Sequence, residues 1–248
     1  VSRPALVDNK MGTIEHLTEL RKRIVRCLVY ITVASIIGWY LSGWLTIILT
    51  SPMKTALKSQ NASFIVIGFT EAFILKVQIA IVSGIIMAFP LLTTELWLFV
   101  APGLTKDERR PAFWLGLLSV VLFAAGVIVC YIILPIAFKW FAGFVPVGTK
   151  LMPGLQSSIL FTLKMLLAFG ICFELPVILC GFAALGLINT DFLKAHWRIS
   201  VVVLSIIAAV ITPSTDIFSM LVLFLPMVGL YFLSFILVKA VQKREVHR

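Results

Sequence analysis

Charge is what this sequence has least of. Only 13% of its 248 residues are charged, and acidic residues number 11 against 21 Lys and Arg. A chain that is 60% hydrophobic carries more apolar surface than a soluble domain of this length can hide, so its solvent is lipid. Histidine is scarce too: His16, His196 and His247 are dispersed and make no zinc site. The four cysteines, Cys27, Cys130, Cys172 and Cys180, lie in apolar stretches without metal-ligand spacing and read as small packing residues. No metal and no cofactor is expected. Walker-type and dinucleotide loops are missing, as is any Ser/His constellation for intramembrane hydrolysis, so an enzyme is not expected. The net charge of +10 would suggest nucleic acid in a soluble protein. Here the basic residues cluster at the ends of apolar runs, where they orient helices, and no aromatic-interleaved basic patch for nucleic acid occurs.

What is present is a series of long apolar runs. A spanning helix needs roughly 20 apolar residues, so a chain of this size supplies about six spans with short connections. They are placed at about 24–49, 72–97, 112–138, 157–185, 198–213 and 217–238, the first read as a span because it is too long for a cleaved leader. The fifth has only about 15 residues, roughly 22 Å at 1.5 Å each, against about 30 Å of hydrocarbon, and should thin the bilayer locally. The expected organisation is a cytoplasmic segment 1–23, a six-span membrane domain 24–238 and a basic cytoplasmic tail 239–248. Lys and Arg concentrate at the N-terminus, around Lys106, Arg109 and Arg110, around Lys194 and Arg198, and in the tail. The positive-inside rule puts these segments, and both termini, in the cytoplasm.

The few acids are the candidates for function. In His16-Leu-Thr-Glu19-Leu-Arg21-Lys-Arg23 the i, i+4 spacing puts Glu15, Glu19 and Arg23 on one helical face. One reading is a solvated, self-neutralising helix start. The other is that Glu15, Glu19, Asp107 and Glu108 bind a cationic partner, since a guanidinium matches a carboxylate through a planar fork. Glu174 lies deep in the fourth span, where an ionisable group costs at least about 2.5 kcal/mol. Pro176 just beyond it should break the helix and open a hydrated concavity. Glu174 is then either a hydrogen-bonded structural acid or part of a transport route. Lys76 is expected to snorkel. Asp216, in the turn before the last span, caps that helix or acts at the outer rim of a translocation site.

These landmarks occur in a characteristic order. The Glu19-Leu-Arg21-Lys-Arg23 segment, Phe99-Val-Ala-Pro102-Gly-Leu, Glu108-Arg-Arg, Phe169-Gly-Ile-Cys-Phe173-Glu174-Leu-Pro176 and Thr212-Pro213 with Asp216 together resemble TatC, the receptor component of the twin-arginine protein translocase. The resemblance covers nearly the whole chain from Met11. It implies an all-α, cup-shaped bundle of six transmembrane helices, the last two short, in the cell's inner (cytoplasmic) membrane rather than a thylakoid or other organelle membrane. It implies binding of twin-arginine signal peptides and export of folded proteins on the proton-motive force. Its expected partners are TatA-like and TatB-like single-span subunits and further copies of itself. By family pattern, Glu19 and Glu108 receive the arginine pair, with Arg21, Phe99, Pro102 and Arg109 in the binding region. Glu174, Pro52, Pro176 and Asp216 match translocation or structural positions, and Thr212 and Met220 match partner-docking positions. Three residues depart from common family forms: Thr105 where Tyr is frequent, Glu95 where Gln is frequent, and Met220 where Gln is frequent. A secondary transporter of a small solute or ion is the alternative, since such proteins also place an acid beside a broken helix.

Overall fold

Lipid offers backbone groups no hydrogen bonds, so apolar runs of this length satisfy their own by coiling into helices. The structure, a computed structural model, describes residues 13–57, 63–100, 109–146, 149, 151–184, 186–213 and 216–246. Its helices are α1 (Thr13–Ala56), α2 (Phe69–Val100), α3 (Arg109–Ala142), α4 (Leu155–Cys172), α5 (Leu175–Ala184), α6 (Thr190–Ala195), α7 (Trp197–Ile211) and α8 (Ile217–Val246). The described residues contain no strand, only an isolated bridge between Ile65 and Gly154 that ties the α1–α2 connection to the start of α4.

Among the described residues, five stretches are long and apolar enough to cross a bilayer: Leu17–Ala56, Phe69–Phe99, Leu115–Ala142, Leu155–Ala184 and Ile217–Lys239. The fourth is α4 and α5 in series. The remaining crossing, fifth in chain order, is α7, whose 15 residues span only about 22 Å, as its sequence predicts. The last two crossings are thus the shortest, although α8 itself continues beyond the apolar stretch into the basic tail. α1 is the opposite case. Its 44 residues extend about 66 Å, more than any bilayer core, so charged turns project beyond the hydrocarbon.

The bundle is organised by a close crossing of α1 and α2. Ala34, Gly38 and Ser42 on α1 and Ala80, Gly84 and Ala88 on α2 recur every fourth residue and are all buried. They form facing stripes of small residues, the arrangement that lets helices approach where no hydrophobic force drives them together. A Cβ on Gly38 would lie 2.9 Å from the Ala80 carbonyl oxygen, and one on Gly84 would lie 2.7 Å from Ser35 Cα. α3 packs on α1 and α4, α4 also on α2, and α8 on α5, α6 and α7. α7 rests mainly on α8, leaving Val202, Ile206 and Val210 exposed.

Prolines in spanning helices leave carbonyls without donors, and one of these is rescued from another helix. Pro52, buried near the end of α1, has no N–H for the carbonyl of Ile48. The Tyr131 hydroxyl of α3 donates to that oxygen at 3.0 Å. Tyr231 similarly ties α8 to α6 by donating to the Leu193 carbonyl at 2.9 Å. At the start of α2, Glu71 Oε2 accepts from the Ile67 and Gly68 N–H groups at 2.8 and 3.4 Å, capping that helix. Tyr131→Phe keeps the ring and deletes the donor, so thermal unfolding of the purified protein should show a loss of about 1 kcal/mol. An unchanged melting point would show that the Ile48 carbonyl needs no partner.

Candidate functional site

The register set at the glycine crossing fixes what meets at the basic end of the α1–α2 pair. Arg23 lies twelve residues from Ser35 toward the α1 N-terminus, and Glu95 lies eleven from Gly84 toward the α2 C-terminus. At 1.5 Å each these are nearly equal paths along antiparallel helices, and the two side chains meet. Arg23 Nη1 donates to Glu95 Oε2 at 3.0 Å and reaches the Glu95 carbonyl oxygen at 3.5 Å. The rest of the guanidinium turns to Glu19: Nε donates to Oε1 at 3.0 Å, and Nη2 contacts the same oxygen. Glu95 Oε1 accepts from the Tyr30 hydroxyl at 3.3 Å and lies 3.6 Å from Arg26 Nη1.

This cluster is not the solvated helix start that spacing alone allows. The Arg23, Glu19 and Glu95 side chains are only 15%, 21% and 7% exposed, so both carboxylates are shielded from water and depend on their cations. Glu19 Oε2 is buried and without a hydrogen-bond partner. An acceptor in that condition is costly to leave alone and matches an incoming N–H donor. Beside it, Thr18, Arg21, Lys22, Val25 and Arg26 line an open groove of about 360 Å³ on α1. Its cations repel a positive ligand except where the acids offset them.

The other expected residues are dispersed. Phe99 lies in the last turn of α2, half-buried. Arg109 opens α3, while Pro102, Asp107 and Glu108 lie outside the described residues. Thr212 follows α7 as its C-cap, donating to the Ala209 carbonyl at 3.3 Å, and Met220, on α8, packs against the core. Asp216 is the N-cap of α8: Oδ2 accepts from the Ser219 N–H at 2.7 Å and Oδ1 from the Ser219 hydroxyl at 2.8 Å. Lys76 Nζ sits 4.4 Å from the centre of the Trp39 ring, a cation–π contact.

Glu174 occupies a true break. α4 stops at Cys172, Phe173 and Glu174 form a turn, and α5 begins at Leu175 with Pro176 in its first turn, where a missing N–H does least harm. Ser119 of α3 donates to Glu174 Oε2 at 2.5 Å, and Oε1 is buried without a partner. The break therefore holds a carboxyl that reaches α3 with one oxygen and leaves the other unused.

Glu95 is the residue that sequence reasoning underweighted, treating it only as a departure from common family forms. With Tyr30 and Arg26 it completes the cluster. The signal was there: a lone acid near the end of an apolar run whose hairpin partner begins with arginines.

The profile of TatC, the Sec-independent protein translocase protein, matches residues 15–226. The chain belongs to the TatC family. Relatives named Sec-independent protein translocase protein TatC include one from Desulforapulum autotrophicum, 34% identical over 96% of this chain and 88% of the relative. Another, from Carboxydothermus hydrogenoformans, is 34% identical over 96% of this chain and 97% of the relative. A crystal structure titled as the twin-arginine translocase receptor TatC superposes with a TM-score of 0.80 at 29% identity, covering 92% of this chain and all of the other. The fold expected of a TatC protein is thus the fold observed, an all-α multi-pass membrane bundle.

Asparagine caps a helix about as well as aspartate but carries no charge. Asp216→Asn should hold the stability within a few tenths of a kcal/mol and Asp216→Ala should lose about 1 kcal/mol, read by thermal unfolding. Equal losses in both variants would mean that the charge, not the cap, holds the turn.

Proposed function

We propose that this chain is the twin-arginine signal-peptide receptor and core subunit of a translocase that exports folded proteins on the proton-motive force. The observation that carries the reading is Glu19: a shielded carboxylate already in contact with a guanidinium, with its second oxygen unpartnered, on the end of the bundle where Arg21, Lys22 and Arg26 cluster. The similarity to the crystal structure of a twin-arginine translocase receptor supports it. In this reading Glu19 and Glu108 receive the two arginines, with Arg21, Phe99, Pro102 and Arg109 shaping the binding region. An arginine is favoured over lysine because its planar fork bridges carboxylate oxygens and gives up water more readily.

The same proposal includes what the family resemblance implies of the assembly. Single-span TatA-like and TatB-like subunits dock along α7 and α8, near Thr212 and Met220, where the exposed apolar face of α7 needs cover by lipid or protein. Further copies of this chain belong to the complex. The membrane is the bacterial inner membrane, segment 1–23 and tail 239–248 are cytoplasmic, and 24–238 form the membrane domain. The chain acts as a receptor and conduit rather than an enzyme. Glu174, Pro52, Pro176 and Asp216 serve translocation or the frame around it.

One observation favours the transporter alternative: Glu174 at a helix break, with one oxygen unused, is the kind of site secondary transporters build. Purified chain alone in liposomes would then drive gradient-dependent uptake, whereas a receptor subunit without its partners gives none.

Binding of a fluorescent twin-arginine peptide to the folded Glu19→Ala/Glu108→Ala double variant should fall at least about tenfold, the scale of a lost charge-assisted hydrogen bond. A twin-lysine peptide should bind weakly to both proteins, and wild-type affinity should decline as salt rises. Wild-type affinity in the double variant would contradict the receptor assignment.

A further inference from the structure

We propose that Arg23 is a built-in stand-in for the ligand guanidinium, and that Glu95 is a positioning residue that takes Arg23 over when a ligand arginine occupies Glu19. The inference rests on the receptor reading of Glu19 and adds how that carboxylate is kept ready and released. Arg23 divides its donors between two acids. Nε and Nη2 serve Glu19 Oε1, while Nη1 serves Glu95 Oε2 at 3.0 Å and the Glu95 carbonyl oxygen at 3.5 Å. A guanidinium therefore already fills the position opposite Glu19, with two donors on one carboxylate oxygen and the other oxygen left unengaged. The acid is held in a geometry made for arginine before any ligand arrives.

Displacement requires somewhere for Arg23 to go. Its side chain is only 15% exposed, so a released guanidinium left beside a second one would be both desolvated and repelled. Glu95 removes that obstacle. It lies on the other helix, on the side of Arg23 away from Glu19's contacts, and it already holds Nη1. Glu95 is not itself a receptor for the ligand, because its side chain is 7% exposed and its oxygens are engaged by Arg23, Tyr30 and Arg26. It acts through Arg23. Glu19 Oε2, buried and unpartnered, is held in reserve, and the transfer of Arg23 to Glu95 opens both carboxylate oxygens to the N–H groups of the ligand.

A merely structural ion-pair network predicts something different. In that case, loss of either Arg23 or Glu95 weakens everything that depends on the α1–α2 end, and loss of both is no better. Competition predicts opposite signs. Without Glu95, Arg23 clings to Glu19 and excludes the ligand. Without Arg23, Glu19 is open, and Glu95 still keeps Tyr30 and Arg26.

The test measures the Kd of a synthetic twin-arginine signal peptide for the purified full chain in lipid nanodiscs, across Glu95→Gln, Arg23→Gln, their double variant and Glu19→Gln. Glu95→Gln should raise Kd on the order of tenfold, the effect of about one charge-assisted hydrogen bond. Arg23→Gln should lower Kd about threefold or more, and the double variant should return to within about twofold of Arg23→Gln, a strong non-additivity. Unchanged affinity in Glu95→Gln, or a double variant at least as weak as Glu95→Gln, would overturn the inference. Should Glu95→Gln fail to fold, Arg23→Gln alone decides, tighter binding supporting the inference and equal or weaker binding overturning it. If Glu19→Gln binds as the wild type does, the receptor reading itself fails. If Glu19→Gln loses binding while Glu95→Gln does not, only the role of Glu95 falls.

Discussion

The crossing of α1 and α2 at Gly38 and Gly84 is the contact on which the charged end of the bundle depends. Side chains at either position would meet backbone atoms of the other helix within 3 Å, so the helices are close enough for their register to be fixed by shape. Helices transmit register rigidly over a few turns. A slip of one residue at the crossing would rotate Glu95 by about 100° around its helix and remove it from Arg23. The pairing of two shielded acids with Arg23 is thus written partly in small residues some 17 Å away, none of which carries charge.

Lipid imposes the second constraint, that every polar group be satisfied from inside the protein. The protein meets it where it breaks its own helices. Pro52 leaves the Ile48 carbonyl without a helical donor, and Tyr131 supplies one. The α4–α5 break brings Glu174 to Ser119. Among the described side chains, two buried carboxylate oxygens stand without a partner, Glu19 Oε2 and Glu174 Oε1. They lie at the two sites where the resemblance to TatC proteins puts recognition and translocation, and a buried acceptor left open is a more expensive feature than chance packing retains. At the far side of the bundle the short α7, leaning on α8 with apolar residues exposed, leaves a stretch of membrane with little protein to match it.

The crossings were legible because apolar runs bounded by charge leave a helix in lipid no alternative, and the shortness of the fifth followed from counting between Arg198 and Pro213. The break at Glu174 followed from Pro176, and the cap at Asp216 from its place before an apolar run. What spacing could not supply was the partner across the hairpin. The i, i+4 pattern links Glu19 to Arg23 but says nothing of Glu95, seventy-two residues from Arg23 in sequence. That pairing depends on which small residues of α1 meet which of α2, a tertiary fact. Exposure was misjudged for the same reason: a charged turn reads as solvated until a second helix is laid beside it. The cation–π contact of Lys76 with Trp39 is likewise made across the α1–α2 pair, so the lysine is held by a neighbouring ring rather than only by the interface.

The central claim is that a guanidinium-shaped acceptor, centred on Glu19, stands at the basic end of the α1–α2 hairpin. Its most direct test places a photo-crosslinking residue at Leu20, next to Glu19 on α1, in an otherwise wild-type chain, and exposes the membranes to twin-arginine and twin-lysine peptides in parallel. The account predicts an adduct with the twin-arginine peptide that is several-fold stronger than with the twin-lysine peptide and that fades in high salt. Equal yields from the two peptides, unaffected by salt, would contradict it.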